Sequence, residues 1–342
     1  MTADYKNNTE VTTMMASFIN RKRSSLLAAT LATCLTAGAS FSALAVESIH
    51  FLIPGGAGGG WDGTARGTGE ALSKSGLAAN VSYENMSGGG GGKAIAHLIE
   101  TADQKHNTLM VNSTPIVIRS LTKVFPQSFR DLTPIAATIG DFGAFVVPAD
   151  SKYQNFQQVI ADYNEDPRSV SIAGGSARGS MDHLVAAMAF KAAGGDPRKV
   201  KYVAYDAGGK AMAGILSGEA QVLSTGFSEA LTLAAAGEVR ILAMTGDERS
   251  SAAAEVPTLK ELGYDASFVN WRGFFAAPGL SDSDAAEYAS MFEQMYATPE
   301  WKLVRDRNGW AETFKPRAEF VAFLEQQEKI VGDLMRELGF LN

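Results

Sequence analysis

Two glycine-dense loops carry the chemistry most visible in this chain: Pro54-Gly55-Gly56-Ala57-Gly58-Gly59-Gly60-Trp61-Asp62 and Ser87-Gly88-Gly89-Gly90-Gly91-Gly92-Lys93. Each follows a strand-like run, Ile49–Ile53 and Val81–Asn85, and each precedes a helical pattern, Thr64–Leu72 and Lys93–Glu100. Glycine loses more backbone freedom on folding than any other residue, so this density implies sharp bends or close approach to another body. Unsatisfied amides at a helix N-terminus make a ready anion site. The chemistry expected of Gly55, Gly56, Gly58, Gly59, Gly89, Gly90 and Gly91 is therefore anion capture.

Nucleotide phosphate is the first anion to test. A phosphate-cradling loop needs G-x-x-x-x-G-K followed by Ser or Thr. The second loop ends Gly92-Lys93-Ala94, and Ser87 stands where the template's first glycine belongs. The dinucleotide fingerprint breaks as well, because Gly56-Ala57-Gly58-Gly59-Gly60-Trp61 lacks the last glycine. Further small-polar loops continue the theme downstream. Asn112-Ser113-Thr114-Pro115 follows the strand pattern 108–111, and Gly174-Gly175-Ser176-Ala177-Arg178-Gly179-Ser180 follows 169–173. Tyr205-Asp206-Ala207-Gly208-Gly209 follows 201–204, and Ser224-Thr225-Gly226 ends a strand over 222–224. Ligands of open α/β sheets lie outside the carboxyl ends of strands. These loops together describe a cleft lined by amides and hydroxyls.

The elements that must hold such loops alternate throughout, the pattern of an α/β protein with mainly parallel sheets flanked by helices. Strands are expected over 49–53, 81–84, 108–111, 143–147, 169–173, 201–204, 222–224, 241–245 and 273–276. Helices are expected over 65–73, 94–100, 156–165, 181–193, 207–217, 230–236, 282–297, 301–309 and 317–337. Two extended, poorly helical stretches, 147–151 and 268–273, read as crossings between two lobes. The first lobe then comprises 46–147 plus 271–342, and the second 148–270.

Residues 1–45 read as a secretory signal with an upstream extension. Arg21-Lys22-Arg23 precedes an apolar stretch over Ser24–Ala37, and Ala43-Leu44-Ala45 fits a cleavage site; Met14 and Met15 are plausible starts. The stretch is too short and too rich in Ala, Thr and Ser to span a bilayer. Cys34, the single cysteine, lies within it, and Thr33 departs from a lipoprotein box. Removing Lys6, Arg21, Lys22, Arg23, Asp4 and Glu10 from 30 basic and 37 acidic residues leaves 26 and 35, a net charge of −9. An acidic surface argues against nucleic acid or anionic lipid as partner.

Pro54-Gly55-Gly56 with Trp61-Asp62 and Ala65-Arg66, Glu84-Asn85, Gly179-Ser180 with His183, Tyr205 with Gly208-Gly209, and Trp271-Arg272-Gly273 resemble the motifs of the tripartite tricarboxylate transporter substrate-binding proteins, or Bug receptors. The resemblance spans essentially the whole chain after residue 45. It implies a periplasmic, two-lobed Venus flytrap receptor of type II-like architecture. That receptor would capture a small organic carboxylate, a citrate-like di- or tricarboxylate, and deliver it to the membrane permease subunits of a tripartite transporter. It also implies that the first two loops meet one carboxylate through amides and ordered water while the second lobe closes over the rest. Trp61 departs from the Thr common in the family's first loop. A monomer without cofactor is expected.

Individual residues carry plainer readings beside these. Asp62 is read first as the N-cap of the helix over 64–72, with loop orientation or ligand contact as alternatives. Arg66, one turn into that helix, is read as structural or surface rather than ligand-binding. Arg178 is the residue best suited to a direct charge contact, since guanidinium meets carboxylate in a bidentate manner; a solvated loop arginine is its alternative. Ser180 caps the following helix and faces the cleft, and His183 is a packed histidine on an apolar helix. The helix over 317–337, Trp301 and Trp310 pack the first lobe. An alternative to transport is a receptor presenting a similar carboxylate to a sensor kinase. A secreted hydrolase is the weaker rival: Gly174-Gly175-Ser176-Ala177-Arg178 breaks the nucleophile elbow, and His50, His97, His106 and His183 lack metal-ligand spacing. The chain is thus expected to bind rather than catalyse.

Overall fold

The computed structural model describes residues 46–342 except Lys105. The signal segment expected over 1–45, with Cys34 and the cleavage motif, lies outside them. β-branched and aromatic runs supply nine strands: β1 (Val46–Ile53), β2 (Ala78–Asn85), β3 (Thr108–Ser113), β4 (Thr133–Pro148), β5 (Ser171–Gly174), β6 (Lys201–Ala204), β7 (Val222–Gly226), β8 (Val239–Met244) and β9 (Val269–Ala276). Between them run α1 (Gly60–Lys74), α2 (Gly92–Glu100), α3 (Thr114–Thr122), α4 (Phe156–Glu165), α5 (Met181–Ala192), α6 (Gly208–Leu216) and α7 (Phe227–Ala235). Three more, α8 (Asp282–Tyr296), α9 (Pro299–Arg307) and α10 (Arg317–Glu337), close the chain.

The strand order is β2-β1-β3-β9-β4-β7-β5-β6, with β8 also on β4. The α/β class matches the sequence reading, but the sheets are mixed. Helical crossovers make β1 parallel to β2 and β3, and β5 parallel to β6 and β7. The strand β9 returns between β3 and β4 and pairs antiparallel with both. Strand β4 in turn meets β7 and β8 antiparallel.

Two elements depart from expectation. Strand β4 was expected only over 143–147 but begins at Thr133. Its first part mixes Ala and Gly with apolar residues, blurring the alternation that marks a strand, and register shifts after Pro134, Ala137 and Phe145 bend it. It pairs with β9 as far as Phe142 and with β7 from Gly143, so the change of partner lies upstream of residue 147. Helix α3 was not anticipated. Its Pro115-Ile116-Val117-Ile118 run has poor helix propensity, yet proline suits a first turn and the three β-branched side chains are fully buried.

One core spans both halves of the sheet, with Phe145, Phe156 and Phe190 in contact (centroids 4.6 and 6.2 Å). A second lies on the β1 side, where Phe274 stacks on Phe292 (4.8 Å) and Trp301 packs on Trp310 (5.9 Å). Each ring so buried contributes roughly 1.5–3 kcal/mol. These cores hold the carboxyl ends of β1, β2, β3, β5 and β6 around one cavity.

Candidate anion-binding site

The cavity encloses about 690 Å3, part of it open to solvent. Four helices begin on its wall: α1 behind Gly59, α3 behind Ser113, α5 behind Ser180 and α6 behind Ala207. None of these four N-caps bonds its helix through a side chain. Of the helices that begin away from the cavity, α4, α8 and α9 are capped by Asn155, Ser281 and Thr298, while α10, behind Pro316, has no side-chain cap. Other side chains take one first-turn amide in two of the four at the cavity, Asn270 Oδ1 that of Thr114 in α3 (3.3 Å) and Ser176 Oγ that of Asp182 in α5 (2.9 Å). The helix ends turned to one space still give a positive lining without a formal charge.

The glycine loops adopt shapes that other residues resist. Gly88, Gly89, Gly90 and Gly91 all have positive φ, between 57° and 142°. Trp61 lies between the two loops: a Cβ on Gly55 would sit 3.0 Å, and one on Gly91 3.6 Å, from its ring. Its Nε1–H donates to Ser113 Oγ at 2.9 Å. The loop after β1 also meets the loop after β6, where a Cβ on Gly56 would lie 3.1 Å from the Ala207 Cβ. Ser87, in the loop after β2, donates its hydroxyl to Asp206 in the loop after β6, and that bond holds the Asp206 carboxyl below its usual range.

Charged side chains divide the cavity. Arg272, from β9, is 2% exposed; its Nη2 donates to Asp141 Oδ2 (2.7 Å) and its Nη1 to Thr64 Oγ1 (3.0 Å). Asp141 also accepts the Ser228 amide (3.2 Å) and hydroxyl (2.7 Å). Glu229 stands 3.9 Å from Arg272; burial, with Asp182 and Asp141 nearby, pushes it up to about 8 despite Arg272. Burial likewise pushes Asp182 up to about 7, against hydrogen bonds from Ser176. Both acids can therefore hold a proton at neutral pH and offer an O–H donor. Arg119, on α3, is 6% exposed and lines the cavity beside Gly90.

Of the expected site residues, Gly55, Gly56, Gly59, Trp61, Gly90, Ser113, Ser176, Ser180 and Gly208 line this cavity. Ser180 is the N-cap of α5, as expected, and its buried Oγ has no partner among the described residues. Gly89, Gly91, Gly58 and Gly209 shape the loops without lining the space. Asp62 is not an N-cap, because α1 starts two residues earlier, at Gly60. It braces the loop instead, accepting the Gly58 amide (3.0 Å), Arg66 Nε (2.9 Å) and Asn85 Nδ2 (3.1 Å). Arg178 is turned away from the cavity: its Nη2 donates to the Tyr202 carbonyl at 2.6 Å, and with Gly179 it lines a smaller adjoining space. Tyr205 donates to Glu219 (2.7 Å), Ser224 donates to the Asp182 carbonyl (2.9 Å), and Thr114 is buried at the start of α3. His183 is packed, stacked on Tyr202 at 4.6 Å; its Nδ1 accepts the Gly179 amide, and burial lowers its pKa to about 4. Sequence reasoning missed Arg119, Asp182, Glu229 and Asn270 and gave Arg272 no site role, although all five line the cavity.

An α/β fold with helix N-termini around one cleft is the fold of the periplasmic binding proteins. The model of the tripartite tricarboxylate transporter family receptor matches residues 64–340, and the chain belongs to that family. It is 26% identical over 278 residues to the UPF0065 protein encoded in the tcbD–tcbE intergenic region of Pseudomonas sp. strain P51, covering 80% of this chain and 81% of that one. Among solved structures, the periplasmic binding protein BugD superposes with TM-score 0.77 at 18% identity, covering 86% of this chain and 98% of its own. MatC of Rhodopseudomonas palustris with bound malate gives 0.74 at 17% (84% and 99% covered). Another R. palustris protein, with adipate, gives 0.76 at 17% (86% and 97% covered). Among the described residues no helix is long and apolar enough to cross a membrane.

Proposed function

We propose that this chain is a periplasmic receptor that captures a small di- or tricarboxylate and delivers it to the membrane subunits of a tripartite transporter. The observation that carries the reading is the convergence of four helix N-termini on one cavity, none of them capped by its own N-cap side chain. Malate and adipate in two proteins of the same fold support a carboxylate as the anion. One carboxylate docks against the loops after β1 and β2. The remainder meets Gly208 and the acids Asp182 and Glu229, which can hold a proton, on the side of β5 to β7.

The two lobes in this reading divide near residues 147 and 270; β4 passes from β9 to β7 at Phe142–Gly143, a few residues before the first, and β9 begins at Val269, beside the second. Because both sides touch the ligand only when together, binding favours the closed arrangement. Calorimetric titration of the protein lacking residues 1–45 against malate, succinate, adipate and citrate tests the reading. Saturable binding of at least one is expected, and no binding to any rejects it. Delivery is tested separately, by uptake of the bound acid with and without the receptor in cells carrying the permease subunits.

A further inference from the structure

Arg119 differs from every other charged group of the cavity. Its residue is 6% exposed and its Nε is fully buried, yet among the described residues no acceptor lies within hydrogen-bond distance of its side chain and no carboxylate pairs with it. Burial alone acts on its guanidinium, holding its pKa below the usual value. An unpaired buried cation is among the costliest features a fold can keep. The surroundings also preserve its position. A Cβ on Gly90 would collide with the guanidinium where it now lies, so a side chain there would displace Arg119. Ser180, whose buried Oγ is equally unpartnered, lines the same cavity and the smaller space that Arg119 also borders.

Two orphaned donors, one cationic, on one cavity wall are complementary to an anion that accepts from both. We propose that Arg119 is the direct charge contact of this receptor, taking a ligand carboxylate between its guanidinium and the Ser180 hydroxyl. The inference rests on the carboxylate reading above and deepens it. The ligand class is one with a terminal carboxylate that can lie against the Gly88–Gly90 loop, and the specificity-determining arginine is on α3 rather than in the loop after β5.

The test compares the unsubstituted protein with Arg119→Met, Arg119→Lys and Arg178→Met, titrated with malate, adipate and citrate, with the melting temperature of each protein alone measured in parallel. For whichever acid binds, Arg119→Met is expected to weaken affinity at least about tenfold, as befits a lost charged hydrogen bond. Arg119→Lys, which keeps charge but not the planar fork, should fall between. Arg178→Met should stay within about threefold of the unsubstituted protein. Melting of Arg119→Met alone should be unchanged or raised, because a costly buried charge is gone. An affinity equal to that of the unsubstituted protein, or a melting temperature that falls together with affinity, overturns the assignment while leaving the carboxylate reading intact. No binding by the unsubstituted protein overturns both.

Discussion

Arg272 and Arg119 stand in the same cleft and are almost equally hidden from water, but their guanidinium groups meet opposite surroundings. Arg272 is surrounded by acceptors: Asp141 at 2.7 Å, Thr64 at 3.0 Å and Glu229 at 3.9 Å. Arg119 has the Gly90 loop, apolar neighbours such as Ile118, and no anion among the described residues. The difference separates two uses of a buried charge. Where the protein supplies the counter-ion, the arginine ties β9 to β4 and α1 and belongs to the fold. Where it does not, the arginine's partner must come from outside.

The largest expected break in this comparison is Arg272→Met. It strands Asp141, a fully buried carboxylate, and should cost about 3–5 kcal/mol in chemical denaturation, with the paired change Asp141→Asn recovering part of the loss. A cost under about 1 kcal/mol would mean that Arg272 is no more structural than Arg119. Next comes pH. Asp182 and Glu229 titrate near 7 and 8 in the fold but near 4 when unfolded, so between those values the folded protein holds more protons. Stability therefore falls as pH rises. From pH 6.5 to 8.5 the loss should be on the order of 2 kcal/mol, after an offset of a few tenths from His183, which is neutral in the fold but titrates near 6.5 when unfolded, and Asp182→Asn with Glu229→Gln should remove it.

Gly90→Ala is a smaller perturbation aimed at Arg119. The φ of +63° and the clash with the guanidinium predict a stability loss of about 1–2 kcal/mol and, more tellingly, an affinity loss close to that of Arg119→Met. Retained affinity would uncouple the loop from the arginine. Smallest is Ser180→Ala, whose hydroxyl has no partner to lose. Stability should change by no more than about 0.5 kcal/mol, while malate or adipate binding weakens several-fold; unchanged binding would remove Ser180 from the site.

Much of this was legible in the chain. The glycine loops lie at the carboxyl ends of β1 and β2, and the loops after β3, β5 and β6 join them, because strand runs and turn residues are local signals. What stayed hidden depended on long-range packing. Arg178 looked like the charge contact because it sits in a loop beside Ser180, yet it turns to the Tyr202 carbonyl. Arg119 went unnoticed because its helix did: Pro115-Ile116-Val117-Ile118 reads as extended until burial makes it α3. Arg272 was legible as part of a family motif, but its tie to Asp141 spans 131 residues, and Asp141 lies in the part of β4 that alternation failed to mark.

The bond from Ser87 to Asp206 has a practical corollary. Those residues belong to loops 119 positions apart in sequence that meet at the rim of the cavity, and the chain's single cysteine, Cys34, lies outside the described residues. A thiol introduced as Ser87→Cys in the protein lacking residues 1–45 would thus be the only reactive sulfur present. An environment-sensitive dye attached there would turn the receptor into an optical gauge of its own ligand, read without any label on the acid.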